Sequence, residues 1–234
     1  MGRLTKRRLR LPLPLRRALF NWGLPVVLTL ALLFGVHARV RADTPPSTTQ
    51  LEQYVQTHNL NVFTQTEGDY QQIFYRYNNR SYQITSAEYN HVYPVSSKNY
   101  VAWQGLINGE SQIYVFDILT STLTQVTTIG TNSEPYLYQN QVTWRHWNGT
   151  DWQIYYYNGL SVATITDGQT SSYRASTDGT RIIYAEQVGA DDWKAQSYDI
   201  QSGQVSLVAQ GTEAATAYPA FGSGGTITTA FVPR

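Results

Sequence analysis

Three tryptophans that stand beside acidic residues are the side chains of this sequence best suited to binding a ligand. Trp147 and Trp152 bracket one loop together with Asp151, and Trp193 directly follows Asp192 in another. Indole rings stack on sugar faces and anchor protein interfaces. We therefore predict that these five residues contact a partner or ligand.

Catalytic constellations are not apparent. The sequence holds no cysteine and no Gly-x-Ser-x-Gly element, and His58, His91 and His146 accompany no recognisable partner motif. Asp191 and Asp192 are adjacent and would face opposite sides of a strand, whereas glycoside hydrolysis needs two carboxyl groups about 5–9.5 Å apart across a sugar. We predict a protein without catalytic residues that is not an enzyme.

Metal and cofactor sites are also not predicted. Asp167-Gly168 and Asp178-Gly179 are turn pairs, and no loop alternates Asp and Asn oxygens as calcium loops do. Glycines in such pairs supply the positive φ of tight hairpins. We expect no metal ligand and no cofactor.

Internal repetition reveals the elements that carry these residues. Asn99-Tyr100-Val101-Ala102-Trp103 recurs 41 residues later as Asn140-Gln141-Val142-Thr143-Trp144, and Trp152 and Trp193 are also 41 apart. Gln112-Ile113-Tyr114 likewise matches Gln153-Ile154-Tyr155. A four-stranded unit of about 40–45 residues is typical of propeller blades. Trp103 and Trp144, at equivalent strand positions, are predicted to fill the core between blades.

The clearest unit predicts four short strands separated by Asn and Gly turns: Pro135–Gln139, Gln141–His146, Trp152–Tyr157 and Ser161–Thr166. The fold class is thus all-β, a β-propeller of about four four-stranded blades preceded by an N-terminal hydrophobic helix. Glu134 and Arg174, which lie just before or within inner strands, are predicted at the channel entrance. The strand Ala217–Phe221 could complete the first three-stranded unit and close the ring, which leaves a strand at Thr226–Val232 over. A truncated chain, an open ring and a ring shared by two chains are the alternatives, and the sequence does not choose among them.

The domain organisation follows from this reading. Residues 1–42 form a signal peptide or membrane anchor, residues 43–59 a linker and lead-in, and residues 60–234 the propeller. Within the lead-in, 51–55 fits a helical turn or a strand. The repeats span about 61–85, 91–127, 132–166, 172–209 and 216–232.

The repeat resembles that of TolB-type β-propellers. Ser176-Thr177-Asp178-Gly179-Thr180-Arg181-Ile182-Ile183-Tyr184 follows the start of that repeat, with Thr177 where proline is usual, and Gln112-Ile113-Tyr114-Val115-Phe116-Asp117 with Gln125-Val126-Thr127 follows its second half. The resemblance covers about 61–231. It implies a propeller that binds another macromolecule. TolB carries a further N-terminal domain that this sequence does not match, so its role in the envelope does not transfer.

The N-terminal segment predicts export. Residues 18–38 form 21 residues without Asp, Glu, Lys or Arg, long enough for a bilayer that needs about 20 apolar residues. Seven basic residues precede this stretch and two follow it, which directs the rest of the chain out of the cytoplasm. Val40-Arg41-Ala42 fits cleavage after Ala42, while the length of the stretch favours a retained anchor. Both alternatives stay open.

The distribution of charged residues along the chain limits the classes of partner that it can bind. Nine of the 17 basic residues lie in residues 1–42, which leaves eight against 16 acidic residues in residues 43–234. An acidic body repels phosphate backbones, so we expect no nucleic acid. The favoured hypothesis is a protein-interaction module at the cell envelope or surface, secreted or membrane-anchored. A lectin-like propeller that binds glycans is the alternative, and a glycoside hydrolase or lyase is a third.

Overall fold

A computed structural model of the chain describes residues 44–212 and 214–233. The predicted hydrophobic helix and cleavage site lie outside these residues. Among the residues that are described, no helix has the length and apolarity needed to cross a membrane.

One α-helix, a short 3-10 helix (Ser223–Gly225) and seventeen strands make up the described chain. After α1 (Thr48–Thr57), the first sheet holds β1 (Asn61–Glu67), β2 (Tyr70–Tyr77) and β3 (Arg80–Gln83). The second holds β4 (Asn90–Ser97), β5 (Tyr100–Ile107), β6 (Glu110–Asp117) and β7 (Thr122–Gln125). The third holds β8 (Thr131–Tyr138), β9 (Gln141–Trp147), β10 (Trp152–Tyr157) and β11 (Val162–Thr164). The fourth holds β12 (Ser172–Thr177), β13 (Arg181–Gln187), β14 (Trp193–Asp199) and β15 (Val205–Gly211), and the last holds β16 (Ala214–Phe221) and β17 (Ile227–Pro233).

Each sheet is an antiparallel meander whose strands pair in chain order. Three sheets have four strands, which confirms the predicted β-propeller architecture of about four blades. Of the alternatives left open by the sequence, closure of the ring through the first sheet is wrong for the described residues. Residues 217–221 pair within β16–β17, with Ala217 opposite Phe231, and do not join the first sheet. A hairpin needs only a short loop, whereas joining the first sheet would close a loop across the whole repeat array.

A hydrogen-bonded Gln-Ile…Thr arrangement explains why the repeats share a sequence. In the second sheet, the Ile113 backbone N–H donates to Thr127 Oγ1 at 2.9 Å, and that hydroxyl donates to Gln112 Oε1 at 2.7 Å. Ile73 and Ile154 make the same bond to Thr85 and Thr166, at 2.8 and 2.9 Å. The threonine satisfies the N–H of a fully buried isoleucine where backbone pairing ends.

The core lies between neighbouring sheets. Val115 of the second sheet packs in one cluster with Val142 and Trp144 of the third. Trp103 and Trp144 are both almost fully buried, which confirms them as core residues. Because alternate residues of a strand face opposite sides, every central sheet contributes to two such cores.

Helix α1 occupies part of the segment predicted as linker and lead-in. Ser47 and Gln50 form a capping box, in which the Gln50 backbone N–H donates to Ser47 Oγ at 3.3 Å and Ser47 N–H donates to Gln50 Oε1 at 2.9 Å. Leu51 and Val55, one turn apart, are buried in the core cluster that contains Ile73. This packing explains why a helix forms where Pro and Ser/Thr composition indicated a linker.

Candidate binding site

A β-bulge in three successive inner strands sets the geometry of the site. Glu134 in β8 and Arg174 in β12 have φ of 56° and 55°, as does their counterpart Tyr93 in β4 with φ of 53°. The pairing register of each strand shifts at this point. A positive φ is uncommon outside glycine, and bulges re-aim side chains next to functional sites. Here the bulge leaves all three side chains exposed.

A neighbouring sheet holds the bulge at Glu134 in place. The Glu134 backbone N–H donates to Gln104 Oε1 of β5 at 3.3 Å, and Gln104 Nε2 donates to the Asn132 carbonyl at 3.2 Å. The strained backbone is therefore fixed from outside its own sheet, which is the condition for such strain to persist.

An open cavity of about 240 Å³ lies beside these bulges. Its lining brings together three residues predicted from sequence, Glu134, Arg174 and Trp193. Arg145, Tyr173 and Thr216 complete the lining and were not predicted. Strands from three sheets contribute to the cavity, so it forms only when the sheets pack.

Arg145 is the structural centre of the cavity wall. Its guanidinium pairs with Glu134 at 2.9 Å and donates through Nε to Ser133 Oγ at 2.8 Å. The same group stacks over the Trp152 ring at 4.2 Å. Glu134 is thereby neutralised by a cation in the adjacent strand.

Arg174 has different surroundings. Its guanidinium lies 3.8 Å from the centre of the Tyr218 ring and donates to Tyr218 Oη at 3.0 Å. Among residues 44–212 and 214–233, no carboxylate lies within ion-pair distance of it. Within the described part of the chain, Arg174 thus differs from Arg145, the other arginine of the cavity lining, which pairs with Glu134.

Trp193 lies deeper than the sequence suggests. The prediction placed its indole beside a loop, but only 5% of the residue is exposed, and it packs in one cluster with Ala185, Ala214 and Ala217. Ser111, the equivalent residue of the second sheet, has a similar position. It is also buried, and its hydroxyl donates to the Asn132 carbonyl of the next sheet at 2.6 Å. The residue at this repeat position thus faces a neighbouring sheet in both cases.

Trp147 and Trp152 form an aromatic pair at the end of the β9–β10 hairpin. Their ring centres are 5.3 Å apart, and Trp147 is 37% exposed. Asn148 Oδ1 accepts the backbone N–H groups of Thr150 and Asp151 at 2.9 and 2.8 Å and fixes the intervening loop. The pair adjoins the cavity because Arg145, which lines the cavity, also covers one face of Trp152.

The two predicted aspartates lie near the site without lining the cavity. Asp151 Oδ1 accepts a hydrogen bond from Ser171 Oγ at 2.8 Å, and the Asp192 carbonyl accepts the Val188 N–H at 2.9 Å. Both contacts stabilise loops. Neither Asp151 nor Asp192 lines the cavity together with Glu134.

Arg145 is the charged residue of the lining that the sequence reasoning missed. It lies 41 residues after Gln104 and 41 before Glu186; Gln104 and Arg145 directly follow Trp103 and Trp144, and Glu186 follows Ala185. A long polar or charged side chain at that point of each unit was the available signal. In the described part of the chain, no cluster of three or more His, Cys, Asp or Glu residues is arranged to hold a metal ion.

Comparisons with known proteins define the fold. No protein-family model matches the sequence, and no curated protein matches it. The crystal structure of TolB from Acinetobacter baumannii is similar over 70% of this chain, with 21% sequence identity and a TM-score of 0.51. A structure from an analysis of two prolyl endopeptidases is similar over 73%, with 7% identity and a TM-score of 0.50.

The described chain therefore has a TolB-like β-propeller fold. It spans 43% of the TolB chain and 30% of the prolyl endopeptidase chain.

Proposed function

We propose that this protein is an exported, non-enzymatic β-propeller that binds a protein partner at the cell envelope or surface. The contact surface is the end of the propeller that carries the β9–β10 hairpin and the cavity, called here the site face. Trp147, Glu134 and Arg174 form its exposed part. Trp152 is half-buried beside Trp147, and Trp193 lies beneath.

The observation that carries this proposal is the exposed Trp147, paired with a half-buried Trp152 that stacks on Arg145 beside an open cavity. Tryptophan and arginine are the residues most enriched among interface hot spots, where they lie at the centre of well-packed pockets. The pair is held rigid by the Asn148-capped loop, so binding would cost little side-chain ordering.

The part of the proposal that concerns export is based on residues 1–42, in which an uncharged stretch is flanked by basic residues. If this segment is retained, it also attaches the propeller to the membrane. Both forms leave the site face available outside the cytoplasm.

Site-specific photo-crosslinking tests the proposal in intact cells of the source organism. A benzophenone amino acid replaces Trp147 in one variant and Leu160 in a matched control. Leu160 is exposed in the β10–β11 connection, which antiparallel pairing places at the opposite end of the sheet from the β9–β10 hairpin. We expect a discrete protein adduct at position 147 and none at position 160. Absence of adducts at 147, or the same adducts at both positions, would refute the proposed surface.

Glycan binding is a second candidate, favoured by the exposed ring of Trp147. Trp193 is too buried to stack on a sugar, and Arg145 already covers Trp152, so this candidate depends on Trp147. Binding of the full chain to a glycan array that Trp147→Ala abolishes would favour it over the protein-binding proposal.

A further inference from the structure

The first sheet lacks the inner strand that the three four-stranded sheets have. In those sheets the second strand, β5, β9 or β13, pairs on one side with the inner strand and on the other side with the third strand. Strand β1 is the equivalent second strand, because Ile73 of β2 and Ile113 of β6 make the same hydrogen bond at the same repeat position. Among the described residues, β1 pairs only with β2. One long edge of β1 is therefore unpaired within this part of the chain.

Helix α1 stands at the repeat position of the missing strand. Gln72-Ile73 and Gln112-Ile113 are 40 residues apart, so β4, residues 90–97, corresponds to residues 50–57. These residues belong to α1. The capping box and the buried apolar face of α1 hold this segment as a helix against the core cluster that contains Ile73. The segment that is an inner strand in the next repeat is thus not available to pair with β1.

The unpaired edge presents backbone hydrogen-bonding groups. On β2, the Ile73 carbonyl accepts the Ile84 N–H at 2.7 Å, so the backbone groups of Ile73 point to the side of β3. In an antiparallel pair, the residue opposite such a position directs its own N–H and C=O groups away from the partner strand. Thr64 opposes Ile73, so its backbone groups point to the unpaired edge. Those of Val62 and Thr66, two residues away on either side, do the same. A row of such groups is a template for the addition of a strand.

Phe63 of β1 is less buried than its repeat equivalents. Trp103 and Trp144 stand at the same point of β5 and β9 and are each 1% exposed, whereas Phe63 is only partly buried. In the second sheet, His91 of the inner strand lies against Trp103 and accepts its indole N–H at 2.8 Å. Within the described part of the chain, no inner strand of the first sheet covers Phe63 in this way. The edge is thus incomplete in side-chain packing as well as in backbone pairing.

The side chain that covers Phe63 should be apolar. A phenyl ring has no N–H to donate, so it needs no acceptor of the kind that His91 and Asn132 supply to the indoles. His91 opposes Gly105, the second residue after the tryptophan. On β1 the corresponding position is opposite Gln65. An extended segment with an apolar side chain opposite Gln65 would therefore complete the packing.

Charge indicates the residue at one end of such a segment. Glu67 ends β1, and Asp69 follows it in the turn to β2. The inner strands pair antiparallel with their neighbours, so a segment that follows this pattern begins beside Glu67. Opposite charges on facing residues of two strands attract one another. A Lys or Arg at the start of the segment therefore matches this end of β1.

We propose that the unpaired edge of β1 binds an extended segment of a partner protein as the fourth strand of the first sheet. The segment runs antiparallel to β1, begins with a basic residue beside Glu67 and places an apolar side chain opposite Gln65, over Phe63. This inference goes beyond the proposed function, because no residue of the first sheet lines the cavity of the site face.

A peptide that copies the pairing of β4 with β5 is the probe: acetyl-Lys-Thr-Leu-Val-Gly-Pro-Val-Ser-amide. Its Lys is placed opposite Glu67 and its Leu opposite Gln65, and its Gly-Pro reproduces the bulge that Tyr93 and Pro94 form in β4. A second peptide carries Asn in place of Leu. Each peptide is added to the full chain in detergent micelles, and hydrogen–deuterium exchange is measured by mass spectrometry on peptic fragments.

We expect the Leu peptide to slow exchange in the fragment that covers β1 and to leave the fragment that covers β7 unchanged. The Asn peptide should bind about tenfold or more weakly, the effect of one buried Leu side chain. This comparison uses the wild-type chain alone, so it does not depend on the folding of any variant.

Thr64→Pro is expected to abolish the protection of β1, because proline removes an N–H on the unpaired edge and leaves the pairing with β2 intact. Gln125→Pro is the matched control on the outer edge of the second sheet. The Val126 N–H donates to the Ile113 carbonyl, so the neighbouring Gln125 directs its N–H outward. Gln125→Pro should bind the Leu peptide as the wild type does.

Three results with the peptides would overturn the inference: no protection of β1 by the Leu peptide, equal protection of the wild type and Thr64→Pro, or equal binding of the Leu and Asn peptides. Protection of β1 in the free chain at every concentration would assign the edge to another segment of this chain. Protection that grows with the concentration of the chain would assign it to a second copy. Both of these outcomes also reject a partner segment.

Discussion

Two buried tryptophans, Trp144 and Trp193, occupy contrasting regions of the propeller. Trp144 is 1% exposed between the second and third sheets, and its indole N–H donates to Asn132 Oδ1 at 3.0 Å. Trp193 is buried nearly as well between the fourth and last sheets, yet its N–H has no acceptor among the described residues.

The difference lies in whether a residue of the inner strand accepts a hydrogen bond from the indole N–H. His91 and Asn132 stand at equivalent points of β4 and β8, and each accepts the indole N–H of its own sheet, from Trp103 at 2.8 Å and from Trp144 at 3.0 Å. Trp193 packs in one cluster with Ala185, Ala214 and Ala217, and its indole N–H has no acceptor among the described residues. The same residue type therefore completes a closed core in one place and borders an open cavity in the other.

The largest loss of unfolding free energy is expected from removing the indole of Trp144, which completes the closed core. Trp144→Ala should lower the free energy of unfolding by about 3–5 kcal/mol, because the packed sheets cannot collapse into the space. Trp193→Ala should cost less, since part of its surroundings is already open cavity. Urea unfolding followed by circular dichroism measures both, and an equal loss in the two variants would remove the distinction.

Removing the side chain of Asn132, the hydrogen-bond acceptor, should lower the free energy of unfolding less than removing the Trp144 ring. Asn132→Ala leaves the buried Trp144 N–H without a partner and should destabilise the protein by about 1–3 kcal/mol. The Thr131→Ala variant, at the first residue of β8, is the control for changes in the strand itself. If Asn132→Ala were as stable as the wild type, the hydrogen bond would not explain the closed core.

Acid should weaken the core around Trp103. Burial lowers the pKa of His91 from 6.5 to about 4. The unfolded chain therefore binds a proton at a higher pH than the folded one, so the contribution of His91 is complete above pH 6.5 and is lost as the pH falls towards about 4. His91→Asn, which copies Asn132, keeps an acceptor for Trp103 without titrating. The unfolding free energy of wild type should fall more steeply over this range, and parallel curves would contradict the assignment.

The smallest change in unfolding free energy is expected when the indole nitrogen of Trp193 is removed. Trp193→Phe should change the free energy of unfolding by less than about 1 kcal/mol, because no protein hydrogen bond is lost. Trp144→Phe, the matched variant, loses one and should be the less stable of the two. Urea midpoints in the reverse order would show that the Trp193 N–H is already satisfied within the protein.

Much of the fold could be predicted from local pattern. The 41-residue spacing indicated four-stranded units because each unit repeats its own hydrogen bonds, such as those of Ile113 and Thr127. Helix α1 was also within reach, since Ser47 and Gln50 precede Leu51 and Val55 at helical spacing. The pairing of β16 with β17 was not anticipated, because it depends on which of two partners is nearer in space.

For the site, the sequence by itself determined the residue types and the ends of the strands that carry them. It identified Glu134, Arg174 and Trp193 as members, and these three do meet in the cavity. Only the tertiary structure decided that Arg145 neutralises Glu134 while Arg174 has no carboxylate within reach among the described residues, and that Trp193 is buried. The physical reason is that these contacts cross between sheets, whose spacing and stacking depend on packing and are not encoded in any single repeat.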